Sequence, residues 1–410
     1  MRATLLSFVA LFSSCFILLT ANGLINVLMP VRMGLEQIDT DTIGLVQSFY
    51  FLGVLIGALL SKKLIIRAGH TRMFAGCVAI GAISILVSSL YENLLLWGAM
   101  RVVIGFCNAS AFTAMESWLS YGTTSKNRGK VLAVYNAIML AGLFTGQFLL
   151  NLGDPMGTEL FVISGILLCM AIIPIAWSRN PGPYIEDVAS MSLIALYRVS
   201  PLGVVTCVVA GAIYAAIFNL LPVFANDNGI VDFELSLYMG AAILGAFLLQ
   251  YPIGWLSDTF DRRSVLLGIT ILSAFTCLFI TMIVPQDHLI AVFVATGICC
   301  GIIACTYPLS ISETFDKLEK HELISAMSSL VLAFALGGIA GPYTASVVMK
   351  VVGSDGLFYF LALSQIGLAV FVVYRMMMRQ ALPLDEQEQF VMQGGSLTGT
   401  LVELDPRTPD

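Results

Sequence analysis

Eleven stretches of this 410-residue chain run for 19 residues or more without an Asp, Glu, Lys or Arg. They are residues 3–31, 42–61, 73–91, 131–153, 160–178, 199–226, 235–257, 264–286, 289–312, 323–349 and 356–374; a twelfth, 93–115, is interrupted only by Arg101. A helix rises about 1.5 Å per residue and needs roughly 20 residues to cross about 30 Å of hydrocarbon, so each stretch suits one crossing. Strands of a membrane barrel are about ten residues long and much less apolar. The sequence therefore predicts an all-α polytopic membrane protein with twelve transmembrane helices. Composition agrees, since only 11% of residues are charged against about 25% in soluble domains. That excludes a soluble globule and a disordered chain, and a net charge of −6 argues against a nucleic-acid partner held by a basic patch.

The few cations are distributed unevenly. Twelve crossings put both termini on one face. On that face the pattern places seventeen basic residues, from Arg2 to Arg407, and leaves only Arg32 and Lys350 on the other. Lys and Arg concentrate on the cytoplasmic side of membrane proteins, so the expectation is a bacterial inner-membrane protein with cytoplasmic termini. The opposite loops are acidic, with Glu36, Asp39, Asp41, Glu92, Asp154 and Asp232 among them. Met1–Asn22 has the make-up of a signal peptide, but its apolar run continues to Arg32, and losing it would leave an odd number of spans. It is read as the first span. The nine cysteines all fall inside spans, where they pack rather than form a disulfide framework.

Arg179–Ser200 is the longest interior polar stretch and begins Asn-Pro-Gly-Pro after its arginine. It divides the chain into an N-terminal six-helix bundle (1–178), a linker (179–198) with room for a short amphipathic segment, a C-terminal bundle (199–378) and a polar tail (379–410) expected to be disordered. The halves echo each other at an offset of about 190–197 residues. Ile25-Asn26-Val27-Leu28-Met29-Pro30 matches Ile217-Phe218-Asn219-Leu220-Leu221-Pro222, Glu116-Ser117 matches Glu313-Thr314, and Gly142/Gly146 match Gly337/Gly341. A duplicated six-helix unit is the usual build of alternating-access carriers, which hold their cargo near the midplane between repeats.

Three segments carry a resemblance. Gly254-Trp-Leu-Ser-Asp258-Thr-Phe-Asp261-Arg262-Arg263 resembles the G-x-L-x-D-R-x-G-R-R loop of the major facilitator superfamily. Leu64-Ile-Ile-Arg67-Ala-Gly69-His-Thr-Arg72 is similar to its first-half copy, and Arg101-Val-Val-Ile-Gly105 to the superfamily's R-x-x-x-G motif. Thr124–Gly129 and the Thr306-Tyr307-Pro308…Glu313 run look most like the YcaD-like branch. The resemblance spans about residues 1–378 and implies two pseudo-symmetric six-helix bundles working as a proton-linked carrier. Departures are plain: Lys62 and Ile66 stand where the first-half loop has glycine and an acid, and Thr259 and Asp261 replace arginine and glycine in the second.

By the resemblance, Asp258 would latch onto the start of the fifth span near Asn127–Gly129. Arg262 or Arg263 would pair with Glu313, and Arg67 or Arg72 with Glu116, in the outward-open state; alternatively these loops only make tight turns and fix topology. Arg101 lies about 12 Å into its span. A guanidinium there costs at least about 2.5–3.5 kcal/mol unless it faces a cavity or a partner. It is either an anion contact or modulator of a carboxyl in proton coupling, or a structural cation bonded to groups such as Asn22 or Gln47. Glu116 and Glu313 are either proton carriers or only latch partners. Cavity candidates are Asn22, Asn26, Asn108, Tyr214, Asn219, Thr306 and Tyr307, with Gln47, Tyr50, Gln147, Gln250 and Tyr343 on neighbouring spans. Each amide has the alternative of an interhelical hydrogen bond. Such a lining suits a small neutral or amphipathic solute, or one with a single anionic group.

The glycine pairs are read as helix-packing sites, and Gln147 replaces the proline of the drug-antiporter motif. His70, His288 and His321 are scattered, with no zinc spacing and no phosphate loop. The expectation is a non-enzymatic secondary transporter with no cofactor or metal. Its partners would be a small solute, protons and the bilayer, with no nucleic acid, and it would act as a monomer. The alternatives are a transport-derived sensor or scaffold without net flux and a multidrug/proton antiporter.

Overall fold

Twelve helices are long and apolar enough to cross a bilayer in the computed structural model, which describes residues 8–177, 191–283, 289–378, 382–383, 386–392 and 398–408. They are α1 (Val9–Leu35), α2 (Thr40–Ala68), α3 (His70–Leu90), α4 (Leu94–Tyr121), α5 (Arg128–Leu152) and α6 (Glu159–Trp177) in the first half. The second half contributes α7 (Pro201–Asp227), α8 (Asp232–Thr259), α9 (Arg262–Ile283), α10 (Leu289–Phe315), α11 (Lys320–Val352) and α12 (Gly356–Met378). Lipid offers no hydrogen bonds to the backbone, so helices that satisfy their own are the outcome, and no strand occurs among the described residues. The α10 helix breaks at Cys305. Pro308 explains the break: it has no N–H for the Ala304 carbonyl, and its ring crowds that oxygen.

The internal repeat is visible as repeated pairing. In the first half α1 packs on α5 and α6, α2 on α4, and α3 on α4 and α6. In the second, α7 packs on α11 and α12, α8 on α10, and α9 on α10 and α12. Glycines set the closest of these contacts. A Cβ on Gly146 would lie 2.4 Å from Thr20 O, and one on Gly341 would lie 2.1 Å from Ala212 O. The α1–α5 and α7–α11 backbones touch at repeat-related positions, as small-xxx-small spacing allows.

The bundles meet along α2–α11, α5–α8 and α1–α7. We call the face bearing Lys62, Lys63 and Lys126 the basic face, and the one bearing Asp39, Glu92 and Asp232 the acidic face. On the acidic face the bundles touch directly. Ser236 Oγ on α8 donates to Gln147 O at 2.9 Å and accepts from Asn151 Nδ2 at 2.8 Å. Lys350 on α11 reaches Asp41 at 2.9 Å and Asp39 at 3.3 Å on and beside α2. Arg32, expected in a loop, is instead buried, bonded to Glu36, Glu92 and the Gly157 carbonyl at 2.7–3.0 Å, where it ties together the ends of the first bundle.

On the basic face a different element lies between the bundles, and it corrects the expectation of a disordered tail. The described residues 386–392 and 398–408 are packed there. Leu401, Val402 and Leu404 are fully buried, and Asp405 pairs with Arg407 at 2.6 Å with both side chains buried. These apolar groups and the paired charge supply the core contacts that the surrounding glycine-rich sequence hides. Much of that run, residues 393–397, lies outside the described residues, as do residues 179–190 of the linker. The linker's Leu193–Val199 forms a short helix capped by Ser192, whose hydroxyl accepts from the Ala195 amide.

Candidate functional site: a cavity between the bundles

Two connected spaces open between the bundles, sharing Met139, Leu143, Tyr214 and Phe218 in their walls. The first is polar on the first-bundle side, where Asn22, Asn26, Tyr50, Asn108 and Glu116 face it. The second is apolar and belongs mainly to the second bundle, with Phe334, Tyr307 and Gln250 among its walls.

The polar wall is built from the duplicated first and fourth helices. Asn108 Nδ2 on α4 donates to Asn22 Oδ1 on α1 at 2.7 Å and to Tyr50 Oη on α2 at 3.2 Å. One amide thus joins three helices. Asn219, one position past the repeat counterpart of Asn26, lines the same space and turns its Nδ2 back to Ala215 O at 2.8 Å. Opposite, Tyr214 packs in tilted geometry against Phe218 with centroids 4.4 Å apart and against Phe334 at 5.5 Å, and Tyr307 lies 4.7 Å from Phe334. These mutually tilted rings form an apolar aromatic wall that accepts a hydrophobic surface.

Arg101 is 1% exposed and reaches the cavity only through Asn26, whose Oδ1 accepts from Nη1 at 3.3 Å. Its Nε and Nη2 have no hydrogen-bond partner among the described residues, nor has the side chain of Gln47. Neither Asn22 nor Gln47 supplies the bond expected of a structural cation; Asn26 does.

The expected latch pairs are not formed. Glu116 accepts from Tyr135 Oη at 3.2 Å, from Thr400 Oγ1 at 2.9 Å and from Thr398 Oγ1, while Arg67 and Arg72 are exposed. Glu313 accepts from Ser200 Oγ and pairs with Lys317, one turn along the chain. Arg262 pairs with Asp316 at 2.6 Å instead, and Arg263 with Asp261 at 3.7 Å. Asp316 wins because Arg262 begins α9 level with the residue just past the end of α10, whereas Glu313 is turned toward α7. Burial pushes the Asp316 carboxyl up to about 6, against the pull of Arg262, the Glu388 amide and Arg407. Asp258 accepts the Phe390 amide of the tail at 2.6 Å, not the start of α5. In each case a tail atom or a nearer partner takes the place of the expected one.

Other candidates serve packing. Gln147 donates to the Gly23 and Leu143 carbonyls at 3.2 and 3.1 Å, bonding α5 to α1. Tyr343 is 44% exposed and points away from the cavity. Thr306 is buried without a bond for its hydroxyl. Sequence reasoning missed Ser200, Asp316, Thr398 and Thr400. The signal available for the last two was the apolar Leu401-Val402 and Leu404 inside a polar tail.

Known proteins agree with this architecture. Two curated relatives, the uncharacterised MFS-type transporter YcaD of Shigella flexneri serotype 5b (strain 8401) and that of Escherichia coli O139:H28 (strain E24377A / ETEC), are each 28% identical over 369 residues, covering 86% of this chain and 91% of the relative. The solved nucleoside transporter NupG superposes with a TM-score of 0.76 at 13% identity, over 93% of this chain and 100% of that one. A bacterial homolog of the human lysosomal transporter Spinster, solved inward-facing and unoccupied, gives 0.67 at 14% identity over 91% and 95%. The family model of the Major Facilitator Superfamily matches residues 11–231 and 202–393. With twelve spans, a duplicated bundle and a cavity between the halves, the chain belongs to the Major Facilitator Superfamily and is a multi-pass membrane transporter.

Proposed function

We propose that the protein is a proton-coupled secondary transporter of a small, uncharged or amphipathic solute in the bacterial inner membrane, with both termini in the cytoplasm. The observation that carries this reading is the division of the cavity. An amide–hydroxyl cluster (Asn22, Asn108, Tyr50) stands on one bundle, and an aromatic wall (Tyr214, Phe218, Phe334) stands on the other. A solute with a hydrogen-bonding edge and an apolar body satisfies both at once. Rocking of the bundles would part these walls and release it.

Glu116 is the carboxyl suited to carry the proton. It lines the cavity, and its hydrogen bonds among the described residues are all to neutral hydroxyls, so a proton can come and go without breaking an ion pair. Glu313, paired with Lys317, is the structural member. The potential alone supplies about 2.3 kcal/mol per charge per 100 mV. Import with protons is the preferred direction, since α5 carries Gln147 where the drug-antiporter motif has proline. The seventeen-to-two distribution of basic residues supports the orientation.

The test is flux into proteoliposomes across a panel of neutral and amphipathic solutes, nucleosides included, with and without an imposed pH gradient. Gradient-driven accumulation of at least one such solute is the expected result. Uniform failure across the panel, with a protein that remains folded, would overturn the transport reading.

A further inference from the structure

The tail is not laid on the surface of the basic face; it is built into it from both sides. On the first bundle, Glu116 takes the Thr398 and Thr400 hydroxyls, Asn136 Nδ2 donates to the Met392 carbonyl at 2.8 Å, and Arg128 Nη1 donates to the Thr408 carbonyl at 2.9 Å. On the second, the Phe390 amide donates to Asp258, the Glu388 amide donates to Asp316 at 3.1 Å, and Arg262 Nη2 donates to the Glu388 carbonyl at 2.6 Å. Arg407 donates to Ser312 Oγ at 3.2 Å and stands 4.9 Å from the centre of the Phe315 ring. The Phe390 ring fills the space over Gly254, where a Cβ would come within 2.5 Å of it. Among these partners is Asp258, the group expected to reach the other bundle when the basic face closes, together with Arg262 and Glu116, which were expected to brace the inner ends of their own bundles.

We infer that the tail segments 386–392 and 398–408 are a tethered plug that holds the basic face apart and thereby keeps the acidic face shut. The inference rests on the alternating-access reading above. In a rocking pair of bundles the acidic face opens only when the basic-face ends come together. A folded segment between those ends, with buried Leu401, Val402 and Leu404, blocks that approach sterically. It also occupies the inner end of the cavity, because Glu116 is shared between the cavity wall and the two threonines. Transport therefore requires the plug to leave, and its docking strength sets the resting state.

The experiment needs no cargo. In the full-length protein in detergent, a cysteine is placed at Leu401 (L401C) or at the exposed Lys126 (K126C), and its maleimide labelling is read by mass spectrometry at that position alone. Labelling at 401 should be at least tenfold slower than at 126. Adding T398A, T400A and R407A together should bring 401 to within about twofold of 126. A third reporter, Ser236→Cys, sits under Gln147 and Asn151 where the acidic face is sealed. The same triple substitution should speed its labelling at least fivefold. Fast labelling at 401 in the unaltered tail would overturn the docked plug. Release at 401 with no change at 236 would overturn its hold on the acidic face. Failure of flux in liposomes bears on neither readout, so the two readings fail separately.

Discussion

Glu116 and Glu313 occupy matching places in a duplicated sequence and have parted company. Glu313 keeps a cation, Lys317, and a serine at the start of α7. Glu116 keeps only hydroxyls, two of them from a segment 282 and 284 residues away. The same divergence runs through the cavity, where α1 and α4 present amides and their counterparts α7 and α10 present rings. Duplication supplies two equivalent frames. Substituting a few interior side chains lets one frame recognise by hydrogen bonds and the other by packing.

The largest effect should come from separating the two glutamates. Glu116→Gln is expected to abolish accumulation driven by a pH gradient, at least tenfold, while leaving solute exchange at zero gradient. Glu313→Gln should keep the coupling and lower thermal stability, since a buried partner set loses its charge at a cost of about 1–3 kcal/mol. Coupling lost in E313Q and kept in E116Q would reverse the assignment. A smaller effect should divide the walls. Asn108→Ala leaves the Asn22 amide short of its partner, and solute affinity should fall about tenfold for roughly 1.4 kcal/mol. Tyr214→Ala should weaken binding of apolar solutes more than that of compact polyols, read as solute-induced shifts in melting temperature. Equal losses for both solute classes in both variants would erase the contrast between walls.

The smallest effect is one of pH. Asp316 holds its proton more tightly in the folded protein, with its carboxyl raised by burial to about 6 from 3.8. The native state therefore binds more protons than the unfolded state between about pH 4 and 6. The share of stability from this group is present below that window and is lost as pH rises through it. Asp316→Asn should flatten the dependence of melting temperature on pH across the window. An unchanged slope would show that Asp316 does not carry it.

The spans were legible because lipid imposes one solution on a long uncharged stretch, and the polar wall was legible because Asn22, Asn26 and Asn108 stand on the duplicated helices. Partners were not. Glu313 and Asp316 are three residues apart, and composition cannot say which of them Arg262 meets; only the break at Cys305 and the end of α10 place Asp316 beside it. Tyr343 shows the same limit by rotation, since it lies on a cavity-bordering helix and faces outward. The tail hid for another reason. Its polarity matches a solvated segment, and what orders it is three buried apolar residues with hydroxyl, amide and guanidinium contacts to residues 72 to 284 positions earlier.

The bridge from Lys350 to Asp39 and Asp41 has a further consequence. These side chains lie at the rim in contact with the surrounding medium, where the lysine is 47% exposed and Asp39 is 72% exposed. Their attraction is screened over about 8 Å at physiological ionic strength and over about 3 Å at 1 M, whereas the packing of Ser346 over Gly44 nearby has no such dependence. One part of the seal thus answers to electrolyte and the other does not. The salinity of the compartment facing this rim becomes a graded input to the carrier, able to loosen one strand of the closure while the other holds.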